Sequence, residues 1–309
     1  MPKLPTKLQS LLRVIPLLGL VVGLTACQLA PKAPVGVLVE MPLEVEPLPV
    51  PQRTEIAIAR LTEMLAAAKL TEEERARLMY DRGVLYDSVG LTALARFDFM
   101  RALRLKPDMA DAYNFMGIHH TLSGDFNEAF EAFDAALDLQ PGYAYAYLNR
   151  AIALQYDGKL ELALADYRQY QQQKPTDPYP AIWLYLAELQ QAPDVAKLNL
   201  QRSAGHVKDN PWGRQLIGLF LGEVNEQQLL AKATEAGTEP VKLTEQLCEA
   251  YFYLAKWHLL QNNPTQAAVY FKRALSTNVY EFVEHRYARL ELDKLRQQVV
   301  DNAAEPDGH

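Results

Sequence analysis

The chain has 309 residues and a formal net charge of −7; 49% of its residues are hydrophobic and 22% are charged. This composition is that of an ordinary globular protein, and it excludes disordered, collagenous and many-spanning membrane chains. Residues 1–26 hold three basic residues and no acidic one, so the negative charge is concentrated in the rest of the chain. Because an acidic body repels phosphate, we expect no nucleic acid among the partners.

The first 26 residues have the pattern of a targeting segment. Three basic residues precede an apolar stretch over 14–24, which is shorter than the ~20 residues of a membrane-spanning helix. The sequence Leu-Thr-Ala-Cys at 24–27 then resembles the lipobox of bacterial lipoproteins, in which the thiol is acylated and the chain is cut before it. The resemblance implies a signal peptide over 1–26 and a mature chain that begins at lipidated Cys27. The alternatives are an ordinary secretory signal with an unrelated cysteine, or a short membrane helix.

The residue after the cysteine bears on the location of such a lipoprotein. In enteric-type lipoproteins an Asp there resembles an inner-membrane retention signal, and this chain has Gln28 instead. The resemblance therefore implies an outer-membrane protein that faces the periplasm, held by several acyl chains such as palmitate. With Cys27 acylated, Cys248 has no intrachain partner for a disulfide, and we expect it to be a small buried helix residue.

A proline-rich segment separates Cys27 from the first predicted helix. Residues 28–52 contain six prolines and show no helical periodicity. Since proline removes backbone donors and favours extended geometry, we expect 27–52 to be a semi-rigid tether that holds a folded body clear of the membrane. At the other end of the chain, 301–309 have no apolar pattern, which predicts a disordered tail.

A spacing of 34 residues recurs in the middle of the chain. Small residues, aromatic residues and prolines each return at that interval, in the series Gly83, Gly117, Ala151; Ala95, Ala129, Ala163; Phe99, Phe133, Tyr167; and Pro107, Pro141, Pro175. The pattern resembles the tetratricopeptide repeat, in which paired helices touch at small residues, an aromatic residue lies behind them and proline ends the unit. It predicts three repeats at about 76–109, 110–143 and 144–177, and a degenerate fourth at about 248–281.

These repeats predict an all-α fold, a tetratricopeptide-repeat helical solenoid. N-terminal helices and the three repeats are expected over 53–177, irregular helical pairs over 178–247, and the degenerate repeat with a C-terminal capping helix over 248–300. Within the middle segment, Pro193 is expected to stop one helix and Asn210 to cap another. Stacked units of this kind form a superhelix with a concave face.

No residue pattern supports catalysis. The chain lacks a His-Glu-x-x-His motif, a Gly-x-Ser-x-Gly motif, a phosphate-binding glycine loop and a cysteine pair with zinc spacing. His119 and His120 are adjacent on a predicted helix and point about 100° apart, which is poor ligand geometry, and His120 is expected to pack. Glu284 and His285 have no nucleophile partner in sequence, so packing or a partner contact is favoured. We expect no enzymatic activity, no catalytic or metal-binding residue and no cofactor.

The candidate binding site is the concave groove. By analogy with the repeat family, the first helix of each pair lines this groove with three positions per repeat: Tyr80, Val84, Asp87; Asn114, Ile118, Thr121; and Leu148, Ile152, Gln155. The basic clamp that holds a peptide carboxylate in some repeat proteins is missing, so the mixed surface suits a helix or an extended segment of a protein. Packing against neighbouring helices is the alternative for Tyr80, Ile118 and Ile152, and exposed apolar patches equally suit a dimer contact.

Several longer segments point to one family. Together with the lipobox and the three repeats, the sequences at 80–91, 183–188 and 282–288 are similar to the NlpI lipoproteins of Gram-negative bacteria. The resemblance covers nearly all of the mature chain except the tether and the tail. It implies a dimeric, outer-membrane-anchored adaptor that binds peptidoglycan endopeptidases and a periplasmic tail-specific protease. The alternative is a repeat lipoprotein that acts as a scaffold for outer-membrane protein assembly or pilus and secretin assembly.

Overall fold

The computed structural model describes residues 45–67, 69–235 and 239–304, with side chains up to Asp301 at the C-terminal end. The chain separates into two units, Met1–Pro42 and Leu43–His309, and all described residues belong to the second. The predicted signal peptide, Cys27 and most of the predicted tether therefore lie outside the described residues.

Helices make up nearly all of the described chain. In order they are α1 (Gln52–Ala67), α2 (Glu72–Ser88), α3 (Thr92–Leu105), α4 (Ala110–Ser123), α5 (Phe126–Leu139), α6 (Ala144–Tyr156), α7 (Leu160–Gln173), α8 (Pro178–Glu188), α9 (Pro193–His206), α10 (Pro211–Leu221), α11 (Glu226–Thr234), α12 (Pro240–Leu260), α13 (Pro264–Ser276) and α14 (Val283–Ala304). No strand occurs in the part of the chain that the structure describes. The prediction of an all-α repeat fold is confirmed.

Small residues facing aromatic rings hold the helix pairs of the repeats together. The pairs are α2 with α3, α4 with α5, and α6 with α7. A Cβ atom added at Gly117 would lie 2.5 Å from the Phe133 ring, and one at Gly83 would lie 2.8 Å from the Phe99 ring. Both rings are fully buried. The two helices of a pair can approach this closely only because the glycine has no side chain, which is the role that the 34-residue spacing predicted.

Two arginines link successive repeats in the same way. Arg82 of α2 donates to both carboxylate oxygens of Asp98 on α3, at 2.6 and 2.8 Å, and to Thr62 of α1 at 3.1 Å. Two repeat lengths later, Arg150 of α6 binds a carboxylate of α7 and, at 2.6 Å, Asp134 of α5. By this correspondence, α1 takes the place that the second helix of a preceding repeat would have.

The middle helices depart from the predicted details at one proline. The helix that contains Trp183 ends at Glu188, and Pro193 begins α9 instead of stopping α8. Proline suits the first turn of a helix because the N–H that it lacks would have no intrahelical partner there. Asn210 caps α10 as predicted, and its side chain accepts a hydrogen bond from the Gly213 N–H at 2.8 Å. The segment therefore contains two pairs, α8 with α9 and α10 with α11.

The predicted boundary between 247 and 248 falls inside one helix. α12 runs without a break from Pro240 to Leu260, because the same apolar stripe continues through Leu247, Cys248 and Tyr251, all buried. The repeat-like pair of α12 and α13 therefore begins earlier than expected. Cys248 is buried in α12 as a free thiol.

The predictions of a semi-rigid tether and of a disordered tail both need correction where the structure describes these segments. α14 continues to Ala304, so the prediction of a disordered tail is wrong for 301–304; Gln297 donates to Asp301 at 2.7 Å one turn later, and alanine at 303 and 304 favours the helix. At the other end, Val45 packs against the core, and the Leu48 N–H donates to the Thr277 carbonyl at 2.9 Å. The packing of Val45 and the hydrogen bond of the Leu48 N–H thus fix 45–51 on the body, where a semi-rigid tether was expected.

Candidate protein-binding site

The last helix lies against the face of the repeats that was expected to be an open groove. Arg286 of α14 donates to Asp87 of α2, and Tyr156 of α6 donates to Glu291 of α14 at 2.6 Å. The Tyr287 ring stacks on the Tyr156 ring, with centroids 5.5 Å apart. These contacts join α14 to the first helices of the first and third repeats, so the chain covers part of this face with its own C-terminal helix.

Asp87 is the point at which α2, α4 and α14 meet. His119 Nε2 lies 2.9 Å from Asp87 Oδ1, and the Arg286 guanidinium contacts the other carboxylate oxygen. Burial by itself would raise the pKa of Asp87, but the hydrogen bond from His119 and the charge of Arg286 outweigh it and lower the pKa. Asp87 is therefore an ionised structural residue, and it is not available to a partner.

Glu291 forms a second buried ion pair on the same helix. Lys256 Nζ of α12 donates to Glu291 at 2.6 Å, and the oxygen that it contacts also accepts the Tyr156 hydroxyl. Burial would raise the pKa of Glu291, but the charge and hydrogen bond of Lys256 and the hydrogen bond of Tyr156 lower it. This pair fixes the middle of α14 in the same way that Asp87 fixes its beginning.

Six of the nine residues that were predicted to line the groove are buried: Asp87, Asn114, Ile118, Thr121, Leu148 and Ile152. Thr121 donates to the Gly117 carbonyl at 2.8 Å, and the Asn149 amide donates to Asn114 at 3.0 Å. Ile118 and Ile152 pack in the core, which was the alternative for both. The expectation that these six side chains face an open groove is wrong, because neighbouring helices bury them. Leu148, although buried, borders the acidic cavity of about 610 Å³ described below.

The other three predicted residues are half-buried and do not form one site. Tyr80 lies in a cleft at the start of α2, described below. Gln155 accepts a hydrogen bond from Tyr167 at 2.7 Å and lines a separate cavity of about 600 Å³ beside α14. Val84 lies between them in sequence and lines neither of these two spaces.

A cleft of about 1110 Å³ lies where α2 and α4 begin. Apolar side chains line it, namely Met64, Leu70, Leu78, Tyr80, Met109 and Leu139. Charged side chains of both signs lie beside them, namely Glu73, Glu74, Arg77, Lys106, Asp108 and Asp111. Burial and the charge of Asp111 raise the pKa of Tyr80 to about 12, so its hydroxyl remains a donor at neutral pH. The cleft can therefore accept apolar side chains and hydrogen-bond a polar group of the same segment.

A third space, a cavity of about 610 Å³, is acidic and aromatic. Asp177, Asp209, Glu249, Glu281 and Glu284 line it together with several aromatic rings, and its lining side chains include no lysine, arginine or histidine. Trp212 donates to Glu249, and Tyr253 donates to Glu284 at 2.8 Å. Burial and the neighbouring charge of Glu284 raise the pKa of Glu249 to about 8, and burial raises that of Glu284. Glu249 therefore keeps its proton at pH values at which an ordinary glutamate has lost it.

His285 has the packing role that the sequence favoured. Its Nε2 atom lies 3.0 Å from the Leu275 carbonyl, and its ring meets the Tyr280 ring edge to face. Burial lowers the pKa of His285 to about 4, so the imidazole is neutral at physiological pH. Over 45–67, 69–235 and 239–304, no group of three or more His, Cys, Asp or Glu could hold a metal ion. Across the same ranges, no helix combines the length and apolarity that a membrane crossing requires.

The comparisons with known proteins identify one of these helix pairs. Residues 76–109, which contain most of α2 and all of α3, match the tetratricopeptide repeat family. This match identifies one tetratricopeptide repeat, within an all-α fold of paired helices. Such a fold is typically a non-catalytic scaffold that presents an extended surface to protein partners.

Three solved structures that are similar to this chain are each less than a fifth identical to it. The C-terminal part of a TPR repeat-containing protein from Cytophaga hutchinsonii is 18% identical, with 73% of this chain and 90% of that chain covered and a TM-score of 0.44. PilF of Pseudomonas aeruginosa is 18% identical, with 71% and 99% covered and a TM-score of 0.43. The Cut9–Hcn1 hetero-tetramer of the APC/C is 15% identical, with 78% and 46% covered and a TM-score of 0.48.

Proposed function

We propose that this protein is a non-catalytic adaptor lipoprotein of the outer membrane, anchored through Cys27 and facing the periplasm. It acts as a homodimer that binds peptidoglycan endopeptidases and a periplasmic tail-specific protease, and so controls hydrolase activity and turnover during cell-envelope growth. The repeat fold supports a protein partner in general. The similarity of the lipobox, the repeats and three further segments to the NlpI lipoproteins supports these particular partners.

The open cleft at the start of α2 and α4 is the structural observation that carries the proposal. Met64, Leu78 and Met109 offer apolar surface, and burying such surface stabilises a complex by roughly 25 cal/mol per Å². At the rim, Arg77 pairs with Asp81 at 3.3 Å, and both side chains are exposed. An exposed pair of this kind contributes little to stability, so either charge can exchange its partner for one on a bound segment.

The inner face of the repeats is a poorer site for a partner. Tyr287 and Glu291 of α14 are almost completely buried there. A partner that took their place would break the Lys256 ion pair and expose an aromatic core, and leaving a buried charge unpaired costs about 3–5 kcal/mol. We therefore place the first contact with a partner in the edge cleft.

Site-specific crosslinking in the native envelope tests the proposal. A photo-reactive amino acid replaces Tyr80 in the full acylated chain, and a matched chain carries it at Glu131, which is exposed on the second repeat. Mass spectrometry of the products is expected to find a murein endopeptidase and a tail-specific protease from position 80 and neither from position 131.

Three results would contradict this account. Crosslinks to secretin or barrel-assembly components would support the alternative scaffold function. Equal yields of crosslinked partner from both positions would exclude the cleft as the binding site. Hydrolysis of peptidoglycan by the purified chain alone would contradict the non-catalytic assignment.

A further inference from the structure

The outer surface of α3 is apolar with a basic border. It consists of Leu91, Leu94, Phe97, Met100, Arg101 and Arg104, which we call the α3 face. Leu94, Phe97 and Met100 are 46%, 50% and 45% exposed, and the Arg101 guanidinium lies over the Phe97 ring at 5.4 Å. The one acidic residue of α3, Asp98, is buried in its ion pair with Arg82. The α3 face therefore presents large apolar groups and positive charge without an acidic neighbour on its own helix.

The second repeat shows that this surface is not required by the fold. The positions of α5 one repeat length later carry acidic side chains, all of them exposed: Asp125, Glu128, Glu131, Asp134 and Asp138. The two helices pack on their partners through the same small and aromatic residues. The packing of these helix pairs is therefore compatible with an acidic outer surface. The apolar and basic composition of the α3 face is not needed for that packing, and it points to a contact outside the described chain.

The segment that leads toward Cys27 meets the body beside the start of α3. Residues 48–51 line a cavity of about 370 Å³ together with Ser88 and Val89, and Leu91 follows two positions later. Val45 is 18 positions after Cys27, a separation that an extended chain spans with at most about 60 Å. The length of chain between Cys27 and Val45 therefore allows this side of the molecule to reach a bilayer that holds a lipid anchor at Cys27.

We propose that the α3 face docks on an anionic phospholipid surface, an inference that rests on the proposed anchoring through Cys27. Leucine, phenylalanine and methionine side chains enter the boundary between headgroups and acyl chains, while Arg101 and Arg104 bind lipid phosphates. The anchor supplies a high effective concentration, so a weak surface contact suffices. The acidic α5 is repelled by the same surface, which limits docking to α3 and orients the body.

Fluorescent labels at matched positions test this docking. Leu94→Cys places a label on the α3 face, and Glu128→Cys places one at the same position of the second repeat. Cys248 does not compete, because it is fully buried and burial raises the pKa of its thiol. The acylated full chain is reconstituted in vesicles of phosphatidylethanolamine and phosphatidylglycerol that contain a spin-labelled quencher lipid, and in vesicles of phosphatidylcholine with the same quencher.

We expect lipid quenching at position 94 and not at 128 in the anionic vesicles, and its loss in phosphatidylcholine. Reversing the charge in Arg101→Glu/Arg104→Glu is expected to lower the docked fraction at least about tenfold. Equal quenching at 94 and 128, or none at 94, overturns the proposal. A label at 94 that is shielded from aqueous iodide but not quenched by lipid also overturns it, since a second copy or another protein then covers the face.

The anchor is read separately, by mass spectrometry of the N-terminal peptide. An unmodified Cys27 overturns the proposed anchoring without deciding the docking. The same two labels then decide it in chains that also carry Cys27→Ser, so that no other accessible thiol is labelled, when vesicles are added to the chain. Quenching selective for position 94 is the supporting result, and no selectivity is the contrary one.

Discussion

The three regular repeats and the C-terminal half of the chain are held together by different kinds of contact. Within α2–α5, the buried rings of Phe99 and Phe133 pack on Gly83 and Gly117 of their own repeats. In α8–α14, the core joins distant residues: Trp183 contacts both Phe252 and Tyr287 with ring centroids 5.8 Å apart. The comparison teaches that the inner face of a short repeat array can be covered by a helix that does not belong to any repeat.

The largest effect is expected from removing an aromatic residue of the regular repeats. Phe133→Ala should lower the free energy of unfolding by about 3–5 kcal/mol, because the ring is fully buried and the cavity cannot collapse. Phe97→Ala, at the half-exposed ring on α3, should change it by less than about 0.5 kcal/mol. Chemical denaturation measures both, and similar losses for the two variants would contradict the packing described for the repeats.

The link between the two regions depends on the ion pair of Arg286 and Asp87. Arg286→Met should destabilise the protein by about 2–4 kcal/mol, since it leaves the buried Asp87 carboxylate without its cation. The exposed pair of Arg296 and Asp293 gives the control, and Arg296→Met should cost less than about 0.5 kcal/mol. If the two variants unfold at the same denaturant concentration, α14 is not fixed to the repeats by this pair.

The buried Glu249 predicts a pH dependence for the C-terminal region. Its pKa in the folded protein is about 8, above the ordinary value of 4.5, so the folded state holds the proton more tightly. The stability from this group is complete below about pH 4.5 and is lost as the pH rises to about 8.

Glu249→Gln keeps an acceptor for Trp212 and cannot ionise. Relative to the original chain it should gain roughly 1–3 kcal/mol of stability between about pH 5 and pH 8, measured by denaturation across that range. A difference between the two chains that stays constant with pH would contradict the raised pKa.

The smallest effect distinguishes a glycine that packs from one that does not. Gly117→Ala should cost about 1–2 kcal/mol because its Cβ would meet the Phe133 ring. Gly205→Ala, in a helix position with no atom within 4 Å of the added Cβ, should stabilise by up to about 0.5 kcal/mol. Thermal unfolding of the two variants gives the comparison, and stabilisation by both would show that the repeats tolerate a wider separation.

The sequence predicted the regular half of the molecule well because its contacts repeat at a fixed interval. The spacing predicted that Gly83 and Gly117 let the two helices of a repeat approach each other, although not that Phe99 and Phe133 pack on these glycines. The position of α14 could not be predicted, since Asp87 and Arg286 are 199 residues apart and belong to no periodic pattern.

Because the sequence did not predict the contact between α14 and the repeats, the prediction of an open groove was wrong. Ile118 and Ile152 lie on the first helices of their repeats, as expected, but nothing local in the sequence says which element covers that face. The edge cleft escaped prediction for the same reason, because Met64, Leu78 and Met109 come from three different elements. Of the predicted residues, only Tyr80 lies in it.

Hydrogen exchange with and without a purified murein endopeptidase tests the central claim most directly, namely that α14 occupies the inner face and partners bind at the edge. The account predicts slower exchange over 70–80 and 106–111 on binding, with the exchange of α14 unchanged. Faster exchange in α14 together with protection of α4 and α6 would contradict it, because the partner would then have displaced the C-terminal helix from the repeats.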